Sequence, residues 1–206
     1  EIYTLSLHDA LPIFDSLTRT FRLGRKAKAD GCDIYHGLSN EVPLDVVKAG
    51  IKSIVTIHDV AWRTFPAMYK PIDIFLYDKK YGWSAKHATH VICISESTKQ
   101  DVMRFYGVPE QRISVIYQPV QQLFYTPMEK QKAADIVKEY VDDDFILTVG
   151  SINARKNLLG MLKAYAKLEK RPKFVVIGNG HEYRKLCEKF IQEKNLKNDV
   201  IIIDNI

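Results

Sequence analysis

The chain of 206 residues is poor in cysteine, and its three (Cys32, Cys93 and Cys187) stand far apart with no paired spacing. That pattern excludes a disulfide framework and a cysteine-rich zinc site. Cys93, inside an apolar run, reads as a buried small hydrophobe. No apolar run reaches the roughly 18 residues that a membrane-crossing helix needs. The first residues carry acids and no basic cap ahead of an apolar stretch, so they do not read as a secretory signal. A large charge of one sign is also lacking, since the formal net charge is only +5. These absences lead us to expect a reducing, cytoplasmic setting and no nucleic-acid partner. One basic cluster, Arg19, Arg22, Arg25, Lys26 and Lys28, reads as the solvated face of a helix. Its functional alternatives are contact with phosphate or with an anionic membrane surface, the latter giving peripheral contact at the inner face of the membrane.

What is present is a 46% hydrophobic content, ordinary for a packed globular protein, arranged as short strand-like runs alternating with helical patterns. The pattern predicts strands over Asp33–His36, Ser53–His58, His90–Ser95 and Ile113–Tyr117. Between them it predicts a long helix over Met68–Lys86 and a second over Glu96–Tyr106, opened by Ser95 and closed by Gly107. A second set follows: strands Phe145–Gly150, Lys173–Ile177 and Val200–Ile203, with helices Asn157–Glu169 and Tyr183–Lys194. Such alternation reads as parallel sheets covered by helices, that is, two incomplete doubly wound Rossmann-like domains. Gln118–Asp144, with Pro119, Pro127 and one charged helix, reads as the linker. The expected domains are therefore 14–126 and 127–206. Glu1–Ile13 resembles a translated sequencing-adapter read-through, and is set aside as non-native. The last strand is expected to lack the helix that should cover it.

In doubly wound sheets ligands bind beyond the carboxyl ends of the strands. Five places qualify. Gly150, Ser151, Arg155 and Lys156 lie between a strand and a helix; the glycine lets backbone approach a ligand, and two cations at a helix start are unfavourable unless an anion offsets them. They predict a phosphate or diphosphate site, against the alternative of a solvated basic pair. Gly178-Asn179-Gly180 allows close approach to a nucleotide, but equally forms a plain tight turn. His58-Asp59 ends the second strand and can contact a sugar hydroxyl, unless the histidine is simply satisfied by backbone. His36-Gly37 can line an acceptor pocket or make a turn, and Ser95 is most simply a helix N-cap. His87 and His90 are spaced to share a helix face, but have no third ligand, so no metal site is expected. Trp62, Phe65, Tyr77, Tyr81 and Trp83 read as core.

The ordered set resembles the family-four retaining glycosyltransferases, of GT-B type with two Rossmann-like domains. It consists of Tyr35-His36-Gly37-Leu38-Ser39-Asn40, Thr56-Ile57-His58-Asp59, Phe65-Pro66, Ile94-Ser95-Glu96-Ser97-Thr98-Lys99-Gln100-Asp101, Tyr106-Gly107-Val108-Pro109, Val115-Ile116-Tyr117-Gln118-Pro119-Val120, Val149-Gly150, Arg155-Lys156-Asn157-Leu158 and Gly178-Asn179-Gly180. The resemblance implies a hexosyltransferase that takes a sugar, mannose among the candidates, from a nucleoside-diphosphate donor. The acceptor would be a glycan or lipid-linked glycan of bacterial surface polysaccharide synthesis. Anomeric configuration would be retained, with no metal or other cofactor required. Lys156 and Arg155 would hold the donor diphosphate with Gly150 and Ser151, Gly178 and Gly180 would form the donor-nucleotide loop, and His58 would sit near the transferred sugar. His36, Gly37 and Asp59 would lie on the acceptor side.

Two departures from the family pattern stand out. Ser151 occupies a position where many relatives carry arginine, and the family's Glu-x7-Glu motif would fall beyond Ile206. The chain accordingly reads as a truncated fragment, inactive and poorly stable alone. Two other readings fit the same fold: an epimerase or phosphorylase, and a non-catalytic sugar-nucleotide-binding module.

Overall fold

The computed structural model describes residues 2–3, 23–142 and 144–204. They form two compact units that divide between Pro119 and Val120. The family resemblance aside, the proline-rich linker had suggested a division seven residues later.

The first unit is built on a parallel sheet whose strands lie in sequence order: β1 (Ile2–Tyr3), β2 (Ile34–Gly37), β3 (Lys52–Ile57), β4 (His90–Cys93) and β5 (Ile113–Val115). The register is continuous, with Tyr35 opposite Ser53, Val55 opposite Val91 and Cys93 opposite Val115. Ile2–Tyr3, inside the segment set aside as non-native, pair with Ile34–Tyr35 as an edge strand. Residues 23–29 form helix α1, followed by α2 (Leu44–Lys48), α3 (Ala61–Thr64), α4 (Pro71–Tyr77), α5 (Trp83–His87) and α6 (Glu96–Tyr106). Val46, Val55, Ile57, Val60, Val91, Cys93 and Val102 are completely or almost completely buried between sheet and helices. All three cysteines are buried free thiols, and burial pushes the Cys93 thiol up to about 11.

Helix α6 shows local sequence logic at work. Ser95, extended at φ −157°, accepts a hydrogen bond from the Thr98 amide at 3.1 Å. Gly107 ends the helix in the left-handed region at φ 65°. Thr98, Val102 and Tyr106 form the buried stripe at helical spacing.

The expected long helix over Met68–Lys86 differs. A 3₁₀ turn at Pro66–Met68 precedes α4, and a π-helical segment over Asp78–Gly82 joins α4 to α5. The cause is tertiary. The Asp78 carboxylate accepts hydrogen bonds from the Trp62 indole (3.0 Å), the Tyr106 hydroxyl (3.0 Å) and the Arg63 guanidinium (3.1 Å). A Cβ on Gly82 would lie 2.7 Å from the Tyr106 ring, so α6 packs directly on the helix backbone there. Burial and the Asp78 carboxylate both push the Tyr106 hydroxyl pKa upward.

The second unit has a parallel sheet β6 (Phe145–Val149), β7 (Lys173–Ile177) and β8 (Val200–Ile203), also in sequence order, with α7 (Lys130–Val137), α8 (Leu158–Tyr165) and α9 (Glu182–Glu193). Leu162, Val176, Cys187 and Leu196 centre its core. Strand β6 is unusually bare: Phe145, Ile146, Leu147 and Val149 are all exposed. Each sheet is a sequentially ordered wing of the Rossmann-like parallel architecture.

Candidate functional site

In the first unit the carboxyl ends of β2 and β3 bring His36, Gly37, His58 and Asp59 to one rim. The turn after β2 is locked there. Asn40 adopts φ 58°, donates its amide to Thr56 O at 2.9 Å and accepts the His58 amide on Oδ1 at 2.9 Å. Asparagine tolerates this left-handed conformation better than most residues. Gly37 cannot be replaced without moving the turn, because a Cβ would lie 1.9 Å from Glu41 O.

Both nitrogens of His58 are engaged. Nε2 lies 2.8 Å from Leu38 O, which only accepts, so Nε2 carries the proton. Nδ1 then accepts from Gln118 Nε2 at 3.3 Å. The His58 carbonyl accepts from Thr98 Oγ1 at 3.1 Å, tying the loop to the start of α6. The ring is thus held in one tautomer, with Nδ1 as its acceptor. Asp59 is exposed, and its Oδ1 accepts the Ala61 amide at 3.1 Å, a turn that starts α3.

His36 Nε2 lies 2.9 Å from Thr56 Oγ1, and burial lowers the ring's pKa below its ordinary 6.5. The folded state therefore favours the neutral ring. Because the folded value is the lower one, the unfolded chain takes up this proton first as pH falls. The stability cost begins near pH 6.5 and is complete only below the folded pKa. In an NMR titration the His36 ring resonance is expected to move at lower pH than that of an unfolded reference peptide; coincident midpoints would contradict the burial.

In the second unit the carboxyl ends of β6 and β7 carry two loops that lie against each other. Gly150 N donates to Ile177 O at 2.9 Å, and Ile152 N donates to Asn179 O at 2.8 Å. Gly178 N donates to Ile203 O at 2.9 Å, linking the same region to β8. The sequence offered two roles for Gly178 and Gly180, and packing between the loops accounts for both. A Cβ on Gly178 would meet Gly150 O at 2.0 Å, and one on Gly180 would meet Ile152 O at 2.4 Å. Gly150 is different: at φ 137° it needs glycine's conformational freedom, but the space beside it is open.

Arg155 and Lys156 do not sit in the first turn of α8. They occupy a 3₁₀ turn, Ala154–Lys156, separated from α8 by Asn157 at φ 55°. Asn153 organises that turn, accepting the Lys156 amide on Oδ1 at 3.1 Å and donating from Nδ2 to Ser151 Oγ at 2.9 Å. Both basic side chains are exposed, and among the described residues neither has an ion-pair partner. Part of the α8 start is already occupied, since the Leu159 amide donates to the Tyr183 hydroxyl at 3.2 Å. Two exposed cations beside a glycine-shaped double loop can hold an oxyanion.

Several positions resolve differently from the sequence reading. His87 ends α5 and His90 opens β4, so they share no helix face. Their rings lie against Trp83 O (2.8 Å) and Ser114 Oγ (2.9 Å). Among the described residues no three His, Cys, Asp or Glu side chains are grouped to hold a metal ion. Phe65 is 55% exposed and not in the core, while Trp62 is buried. Arg25, Lys26 and Lys28 are exposed on α1, whereas Arg19 and Arg22 lie outside the described residues. No described helix is long and apolar enough to cross a membrane. Sequence reading passed over Asn153 and Gln118, which were embedded in longer motifs; an asparagine two residues before a basic pair was the available signal for the first.

Comparison with known proteins agrees with this architecture. Residues 6–121, more than half of the chain, match the family model described as Glycosyltransferase Family 4, and residues 129–206 match that of Glycosyl transferases group 1. The chain belongs to this glycosyltransferase family, with the GT-B type of fold. It is 27% identical over 153 residues to O-antigen chain mannosyltransferase B of Escherichia coli, covering 72% of this chain and 39% of that protein. It is 20% identical over 152 residues to O-antigen chain mannosyltransferase RfbU of Salmonella typhimurium, covering 74% of this chain and 39% of that one. Among solved structures, Anabaena Alr3699/HepE in complex with UDP and glucose superposes with a TM-score of 0.72 at 15% identity, over 93% of this chain and 53% of that one. The likeness to HepE speaks to the fold alone. The chain spans about two fifths of the length of these curated relatives and about half of this solved structure.

Proposed function

We propose that the whole protein is a hexosyltransferase that moves a sugar from a nucleoside-diphosphate donor to a glycan or lipid-linked acceptor in bacterial surface polysaccharide synthesis. It would do so with retention of configuration, without a required metal, in the cytoplasm. The observation that carries this reading is the pair of cations, Arg155 and Lys156, without an ion-pair partner among the described residues, on a turn that Asn153 caps through the Lys156 amide beside the interlocked glycine loops. As the bond from sugar to diphosphate breaks, the leaving group gains negative charge. Cations brought beside that position by the turn would stabilise the charge, the kind of electrostatic effect that often dominates an enzyme's rate. Mannose is the first sugar to test, because both curated relatives are mannosyltransferases of O-antigen chains. The structural neighbour HepE is seen in complex with UDP and glucose, which supports testing a nucleotide-sugar donor here.

On the acceptor side, His58 with its oriented ring, His36, Gly37 and the Asp59 turn form the rim near which the transferred sugar would lie. The test supplies the full reading frame with GDP-mannose, UDP-glucose and UDP-galactose and a lipid-linked glycan acceptor, and reads the anomeric linkage of the product by NMR. A product with the donor's anomeric configuration is expected. An inverted product would overturn the retaining mechanism. Donor binding with no transfer to any acceptor would favour a sugar-nucleotide-binding module.

A further inference from the structure

We infer that the first unit carries a ligand site of its own, a cleft between the α4–α5 helical run and the end of α6 that takes a nucleotide. This goes beyond the proposed reaction and does not depend on it. The cleft holds about 540 Å³, within the range of small-molecule sites. Residues 78, 79, 82, 83, 86 and 87 line it in two rows at a spacing of four, the pattern of one helix face. The π-helical segment Asp78–Gly82 lies in that face, and such segments recur at functional sites. Arg63, Phe75, Phe105 and Tyr106 complete the walls.

The groups left over for hydrogen bonding select an anion. Asp78, the one carboxylate among the lining residues, already accepts from Trp62, Tyr106 and Arg63. The Tyr106 hydroxyl is spent as well, since it donates to Asp78 and accepts from the Trp62 indole at 3.2 Å. Lys79 and Lys86 are exposed and, among the described residues, have no carboxylate partner. Arg63, Lys79 and Lys86 against Asp78 give the lining a net charge of +2 with histidine neutral. Surplus cationic donors with no free carboxylate suit a ligand rich in acceptor oxygens, and a phosphate is such a ligand.

The same walls are flat. Trp83 is half-buried and held by His87, whose ring stacks on it with centroids 4.5 Å apart and whose Nδ1 donates to Trp83 O at 2.8 Å. The Arg63 and Arg104 guanidiniums lie over the Phe105 ring at 5.2 and 5.1 Å, and Lys79 Nζ lies 5.7 Å from the centroid of Phe75. Cations and aromatic faces are therefore interleaved along one cleft. A nucleotide uses both kinds of group, because its base stacks on rings and guanidinium planes while its phosphates meet the ammoniums. Inorganic phosphate would use the cations alone.

The test uses the 206-residue chain, whose two tryptophans, Trp62 and Trp83, both lie in the first unit. Titration with GDP is expected to quench their fluorescence, and high salt to weaken the effect. Inorganic pyrophosphate and guanosine, each lacking one half of the ligand, are expected to displace GDP at least about tenfold less effectively. Lys79→Ala and Lys86→Ala are each expected to weaken the GDP titration about tenfold with an unchanged circular dichroism spectrum. Lys156→Ala, in the loops of the second unit, is expected to leave the titration unchanged. A titration lost in Lys156→Ala would place the signal at the donor loops and overturn the inference. Absence of quenching, pyrophosphate as effective as GDP, or undiminished binding by both first-unit lysine variants would overturn it as well.

Discussion

Replacing Lys156 by alanine in the full reading frame is expected to lower kcat/KM for sugar transfer about a hundredfold or more, with no change in fold. The size follows from removing one preorganised charge facing a developing oxyanion, which costs about 10²–10³ in rate. The specificity of the effect follows from the structure. The Lys156 side chain is exposed and, among the described residues, makes no ion pair, so its loss should alter stability by no more than about 0.5 kcal/mol. Only its amide is engaged, with Asn153, and alanine keeps that amide. Lys156→Arg should recover part of the rate, since the charge returns with a different geometry. The measurement is steady-state kinetics with varied donor, alongside thermal unfolding. An unchanged kcat/KM would show that Arg155 or another group carries the diphosphate.

Gly178→Ala is expected to be the most damaging small substitution in the second unit, costing about 3 kcal/mol or more. The new methyl would meet Gly150 O at 2.0 Å and Gly150 C at 2.8 Å, both backbone atoms that cannot swing aside. Relief requires the two loops to part, and that breaks the Gly150–Ile177 and Ile152–Asn179 hydrogen bonds. For a unit of this size the midpoint of thermal unfolding should fall by on the order of 15 °C. Gly150→Ala is the companion, because nothing lies within 4 Å of its Cβ and only the φ of 137° is strained. Its cost should be about 1–2 kcal/mol. If Gly178→Ala unfolds at the same temperature as the unsubstituted chain, the two loops are not in contact.

Much of the fold was legible because it is written locally. Ser95 and Gly107 bracket α6 at the two positions where a cap and a left-handed residue are needed. The β-branched run before His58 and the apolar run at Lys173–Ile177 became the strands they suggested. The π-segment was not legible, since its causes are Trp62, 16 residues upstream of Asp78, and Tyr106, 28 residues downstream. No local pattern in 68–86 announces a carboxylate shared by such distant donors. The site shows the same division. His36, His58, Arg155 and Lys156 stood out as chemical groups at strand ends. Asn40 and Gln118, which bond to His58, and Asn153, which caps the turn at the Lys156 amide, are uncharged amides whose roles appear only when the loops meet. For the glycine pair 178 and 180, the close approach that their sequence pattern suggests includes one from another loop of the same unit.

The bare strand β6 has a consequence for how its backbone meets solvent. Gly150 N donates to Ile177 O and Asp144 O accepts from Lys173 N, so in this parallel ladder the even-numbered residues of β6 face β7. The odd-numbered amides of Phe145, Leu147 and Val149 point the other way, where no described strand lies beside them. Amide hydrogens along one short strand should then exchange on two clocks. Residues 146 and 148 would wait for β6 and β7 to separate, while 145, 147 and 149 would exchange from the folded state itself.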